Sequence, residues 1–78
     1  MNKPRRKRLK EAIELLEQAK DIIEEAKDEE QEAYDNMPES LQNGERGEQM
    51  SDFIYTLDQA YDNVEDTIDN IQNEVIDA

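Results

Sequence analysis

From Met50 onward, apolar residues return at alternating steps of four and three: Met50, Ile54, Leu57, Tyr61, Val64, Ile68, Ile71 and Val75. That period keeps one stripe on one side of a helix and predicts an amphipathic helix over about residues 44–77. Phe53, Ala60 and Thr67, again seven apart, widen the stripe beyond what a two-stranded coiled coil needs, so the helix presents a bundle face. The segment is rich in Asp and Asn, which are weak helix formers; packing rather than intrinsic propensity has to hold it.

A second helix is predicted over about residues 5–36, with a different pattern. Ala12, Ala19, Ala26 and Ala33 recur every seven residues, interleaved with Leu16 and Ile23 and flanked by Leu9, Leu15 and Ile22. Small residues let a facing helix come close. An alanine ridge laid antiparallel to the other helix could receive Leu57, Tyr61, Val64 and Ile68, large against small. Alanine is also the best helix former, which is reason enough for its abundance. Glu30 interrupts the ridge between Ala26 and Ala33.

The punctuation falls at residues 37–43. Pro38 disfavours helix at Met37 and cannot continue the hydrogen-bond ladder, so the first helix should stop near Asn36 and a new helical turn should begin at Pro38. Asn43 is the expected N-cap of the second long helix, with Glu45 and Glu48 in its first turn, where the helix dipole favours negative charge. A glycine inside a helix costs about 1 kcal/mol relative to alanine, so Gly47 signals a close approach by the 37–42 segment. Met37 and Leu41 are expected to close over that end of the core.

Two rods of about 30 residues, each roughly 45–50 Å long, joined by a short connection make an antiparallel helical hairpin. The fold class expected is all-α, a single domain spanning residues 1–78. The apolar positions exceed what one neighbouring helix can cover, and 78 residues is near the size at which one core barely offsets chain entropy. A homodimer of hairpins forming a four-helix bundle is the economical outcome. Its self-association core would comprise Leu9, Ala12, Leu16, Ala19, Ile23 and Ala26 from the first helix and the Met50-to-Val75 seam from the second.

Composition narrows the chemistry. The chain has no cysteine and no histidine, hence no thiolate, no imidazole base and no ordinary structural zinc site. No catalytic residue, metal, cofactor or small-molecule substrate is expected. No apolar run approaches the roughly 18 residues of a membrane span, and Met1-Asn2-Lys3-Pro4 leads straight into charge rather than a signal-peptide core, so a cytoplasmic protein is expected.

Charge is unevenly placed. Of nine basic residues, six (Lys3, Arg5, Arg6, Lys7, Arg8 and Lys10) precede Glu11, and all 22 acidic residues lie from Glu11 onward, giving a net charge of −13. In a hairpin the basic tip lies beside the end of the second helix, where Asp66, Asp69, Glu74 and Asp77 are expected to compensate it. Contact of Lys3, Arg5, Arg6, Lys7 and Arg8 with nucleic acid or anionic lipid is the alternative. The acidic body and the absence of aromatics within the basic run disfavour nucleic acid, and a membrane partner is disfavoured as well. Rows such as Asp21, Glu24, Glu25, Asp28, Glu29 and Glu32, or Asp58, Asp62, Glu65, Asp66 and Asp69, put like charges at helical spacing, which destabilises a helix. They serve solubility, or they imitate a phosphate backbone and occupy the basic groove of a nucleic-acid-binding protein.

The stretch Tyr34-Asp35-Asn36-Met37-Pro38-Glu39-Ser40-Leu41-Gln42, followed by Glu45-Arg46-Gly47-Glu48 and Met50, resembles the central signature of small acidic hypothetical proteins of Gram-positive bacteria, their phages and mobile elements. The resemblance implies a helical hairpin and a mobile-element context, and it carries no assigned activity. The function expected is that of a non-enzymatic protein–protein interaction module. The alternatives are a phage or mobile-element inhibitor that mimics nucleic acid, and a nucleic-acid or membrane contact through the basic tip.

Overall fold

The computed structural model describes all 78 residues, and the chain folds as an all-α helical hairpin. Helix α1 runs from Lys3 to Asp35, the short α2 from Glu39 to Gln42, and α3 from Glu45 to Ile71, continuing into a π-helical turn over Gln72–Ile76. Helix α1 starts two residues earlier than expected because Asn2 caps it: the Asn2 Oδ1 accepts the Arg5 backbone N–H at 2.9 Å. Pro4 follows in the first turn, where its missing N–H costs nothing.

The connection follows the stop signals. Met37 N–H donates back to the Tyr34 carbonyl at 3.1 Å, closing α1, and Pro38 is extended (φ −56°, ψ 144°). The Pro38 carbonyl then accepts the N–H groups of Leu41 and Gln42 at 2.8 and 3.0 Å, which starts α2. The cap of α3 differs from expectation. Gly44, not Asn43, holds the N-cap position, and no side chain caps the helix there, because Asn43 is used to finish α2. Glu45 and Glu48 do lie in the first turn of α3.

Gly47 explains how tightly the connection folds down. It is buried, and a Cβ added to it would lie inside the Gln42 carbonyl group and 2.6 Å from the Gln42 Cα. The Gln42 side chain meanwhile donates through Nε2 to the Tyr34 carbonyl at 2.9 Å, tying α2 to the last turn of α1. Met37 is half-buried against this end. Leu41 is not part of the closure, since it remains 54 % exposed on the outer side of the one-turn α2.

Helices α1 and α3 pack side by side along a body of 58 × 16 × 13 Å. The α3 seam is the one its heptads define. Met50, Ile54, Leu57, Tyr61, Val64, Ile71 and Val75 are half-buried, and Ile68 is 7 % exposed. The π turn adds a residue to the last turn, its Asp77 N–H reaching the Gln72 carbonyl at 2.9 Å, and so brings Ile76 (7 % exposed) to the interior beside Val75.

The α1 seam is shifted from the alanine ridge. Its inward residues are Leu9, Ile13, Leu16, Lys20, Ile23, Lys27, Glu30 and Tyr34, all half-buried; Ala19, Ala26 and Ala33 are exposed and Ala12 is only half-buried. The two heptad phases share Leu16, Ile23 and Glu30 and differ by one residue at every other step. The observed phase places Ile13 and Tyr34 against α3 where the other would place Ala12 and Ala33, filling more of the space between the axes. Lys20 and Lys27 fit the remaining steps by covering the seam with their methylene stems. The Lys20 amine reaches Glu17 at 3.2 Å and lies 5.3 Å from the centre of the Tyr61 ring, and the Lys27 amine reaches Asp58 at 3.2 Å.

Candidate docking face

Each helix has positions one step before and one step after its seam, about 100° to either side of the direction of its neighbour. Because α1 and α3 are antiparallel, the positions preceding both seams lie on the same side of the hairpin, and those following both seams lie on the other. Two shallow grooves show this sorting. One, lined by Lys27, Gln31, Ser51, Ile54, Tyr55 and Asp58, collects residues that follow the seams; another, lined by Glu30, Phe53, Thr56 and Leu57, collects the preceding residues of α3.

The two faces differ in chemistry. The preceding face carries Ala12, Leu15, Ala19, Ile22, Ala26 and Ala33 from α1 and Phe53, Thr56, Ala60, Asn63 and Thr67 from α3. Leu15 and Ile22 are 65 % and 64 % exposed and Phe53 is 48 % exposed. The Thr67 hydroxyl is satisfied within its own helix, donating to the Asn63 carbonyl at 2.9 Å, so it turns no unpaired donor toward an incoming surface. On this face Arg5, Arg8 and Arg46 balance Glu29, Glu74 and the seam residue Glu30, which lines its groove. The following face holds Glu14, Glu17, Asp21, Glu24 and Asp28 on α1 and Glu48, Asp58, Asp62, Glu65 and Asp69 on α3. The hairpin is therefore amphipathic as a whole, with one near-neutral apolar face and one acidic face.

This arrangement redistributes the residues expected to drive self-association. Leu9, Leu16, Ile23 and the α3 residues Met50, Ile54, Leu57, Tyr61, Val64, Ile68, Ile71 and Val75 are used within the hairpin seam. Ala19 and Ala26, with Ala12 at the margin, belong to the open face. Leu15, Ile22 and Phe53, which pattern reading ranked as flanks, are its largest apolar members. The signal that could have found them was present: all three stand one residue before a seam position.

No direct ion pair joins the basic tip to Asp66, Asp69, Glu74 or Asp77 of the second long helix. The ion pairs of the structure are Lys20–Glu17 and Lys27–Asp58, and none involves Lys3, Arg5, Arg6, Lys7, Arg8 or Lys10. Asp66 and Asp69 are exposed, and Asp77 accepts instead from the Gln72 side chain at 3.0 Å. Arg6 occupies the first step of the α1 seam, with its Nε buried and without a hydrogen-bond partner.

The two seam lysines titrate away from their ordinary range. The hydrogen bond to Glu17 holds the Lys20 amine above its ordinary pKa against a smaller opposing effect of burial, and the bond to Asp58 does the same for Lys27. No three carboxylates converge closely enough to hold a metal ion. No helix is long and apolar enough to cross a membrane. No protein-family model, curated protein or solved structure matches the chain.

Proposed function

We propose that this protein is a non-enzymatic interaction module of the cytoplasm that works as a homodimer of hairpins, closing its near-neutral face against a second copy and turning its acidic faces outward toward a protein partner with a basic surface. The observation that carries the reading is how little one copy buries. Only Ile68, Ile76 and Gly47 of 78 residues are buried, and the accessible surface is 5914 Å². A compact monomer of 9.1 kDa is expected to expose roughly 4,900 Å². The radius of gyration, 17.4 Å, likewise exceeds the approximately 11.5 Å of a compact chain this long.

A second copy on the open face would remove much of that excess. The face extends over the 58 × 16 Å side of the hairpin, on the order of 900 Å² per copy, against about 800 Å² per partner in a standard stable interface. Charge selects the same face. Two chains of net charge −13 repel, and they come together at least cost where the carboxylates are fewest. Light scattering coupled to size-exclusion chromatography at micromolar concentration is expected to give twice 9.1 kDa. A helical species at 9.1 kDa up to high micromolar concentration contradicts the proposal.

A second reading concerns the use of the outer faces. Their carboxylates follow both helices at three- and four-residue spacing, which favours an inhibitor that presents a phosphate-like row to a nucleic-acid-binding protein. Competition between this protein and DNA for a basic DNA-binding partner supports that reading; DNA binding unaffected by stoichiometric excess opposes it.

A further inference from the structure

We infer that the two hairpins pack head to tail, with their connections at opposite ends, α1 lying antiparallel on α1 of the second copy and the two-fold axis passing beside Ala19. The inference rests on the proposed dimer and specifies how its face is used. Two symmetric packings are open to a flat rectangular face. In one, the two-fold axis runs along the hairpin, so both connections share an end and α1 covers α3 of the other copy. In the other, the axis runs across the face, and each α1 covers its counterpart.

The ends of the hairpin decide between them. At the open end, residues 1–12 and 69–78 carry six lysines and arginines against four carboxylates. At the connection end, residues 24–48 carry two basic residues against ten carboxylates. The packing with shared ends sets like against like at both ends of the dimer. Head-to-tail packing sets the positive end of each copy on the negative end of the other, twice over.

The residues fit this register. Ala19 is the midpoint of α1, which spans Lys3–Asp35, and it is exposed on the near-neutral face. Antiparallel helices crossing at Ala19 bring Ala12 over Ala26 of the second copy and, offset by one residue's rise of about 1.5 Å, Leu15 over Ile22 and Arg8 over Glu29. Alanine at the axis allows a close approach, the two largest apolar residues of α1 meet on either side of it, and Glu29 receives an arginine. The unpaired basic tip thereby finds its partner between copies rather than within one.

The chain contains no cysteine, so single cysteines report the packing directly. In the 78-residue chain, Ala19→Cys is expected to oxidise almost completely to a disulfide-linked dimer, while Glu24→Cys on the acidic face stays reduced under the same conditions. Charge exchange gives an independent readout: Arg8→Glu should raise the dimer dissociation constant about tenfold, since each dimer contains the pair twice, and adding Glu29→Arg should restore it. If the wild type dimerises but Ala19→Cys does not cross-link, while Ile22→Cys mixed with Ala60→Cys does, the hairpins share ends and the head-to-tail packing is overturned with the dimer intact. Equal cross-linking of Ala19→Cys and Glu24→Cys also overturns it, and a monomeric wild type removes the dimer itself.

Discussion

Replacing Gly47 with alanine separates local helix propensity from tertiary packing. In an exposed helix the change stabilises by about 1 kcal/mol. Here the added methyl group falls within the Gln42 carbonyl and 2.6 Å from the Gln42 Cα, and both are backbone atoms of α2 that cannot rotate away. Relief requires α2 to lift from α3, at about 1–3 kcal/mol for an overpacked contact, and strains the Gln42 Nε2 bond to the Tyr34 carbonyl, worth about 1 kcal/mol more. The steric cost exceeds the gain in propensity, leaving a net loss of about 2 kcal/mol. For a domain of this length that corresponds to a fall of roughly 8–16 °C in Tm. Circular dichroism melts at one fixed protein concentration measure it, because association shifts Tm as well. Gly44 supplies the control: a Cβ there would meet the Leu41 carbonyl oxygen at an ordinary 3.5 Å, so Gly44→Ala should cost less than about 1 kcal/mol. A Gly47→Ala protein as stable as the wild type would refute the close approach of the connection to α3.

Three further outcomes are expected. Ile68→Ala, at a position 7 % exposed, should cost about 2–4 kcal/mol in denaturant unfolding, and a loss below about 1 kcal/mol would show the seam to be loosely packed. Added salt should raise Tm, because carboxylates crowded on one face of a chain of net charge −13 repel one another and screening relieves them; a lower Tm at 0.5 M than at about 0.05 M salt would contradict this. Lys20 and Lys27 are held above their ordinary pKa of 10.5 in the folded chain, so their contribution is complete below that pH and is lost as pH rises through the raised values. A Lys20→Met/Lys27→Met variant should therefore lose less stability than the wild type between pH 9 and 12, and parallel losses would argue against the two hydrogen bonds.

The hairpin and the α3 seam were legible because a single apolar stripe of mixed Ile, Leu, Val and Tyr admits one helical phase. Gly47 and Pro38 were legible because each has a backbone requirement that few structures satisfy. The phase of α1 was not. Ala12, Ala19, Ala26 and Ala33 looked like an inward ridge because alanine is small and helix-favouring, and those properties suit an exposed position equally well. Lys20 and Lys27 add nothing to an apolar pattern, yet their stems cover the seam and their amines find Glu17 and Asp58. Once the lysines occupy the seam, the alanines fall on the open face with Leu15 and Ile22, and the division into a near-neutral and an acidic face follows from geometry. The π turn at Gln72–Ile76, which brings Ile76 inside, left no mark in the heptad pattern.

The claim that the near-neutral face is covered in the working protein is tested most directly by alkylation of single cysteines placed on the two faces. Ala26→Cys reports the near-neutral face and Glu24→Cys the acidic one, and both positions are exposed in one copy. At concentrations where the dimer forms, Ala26→Cys should react at least about tenfold more slowly than Glu24→Cys, and the two rates should converge on dilution below the dissociation constant. Equal rates at every concentration would mean that no second copy lies over Ala26, and the dimer on that face would be ruled out.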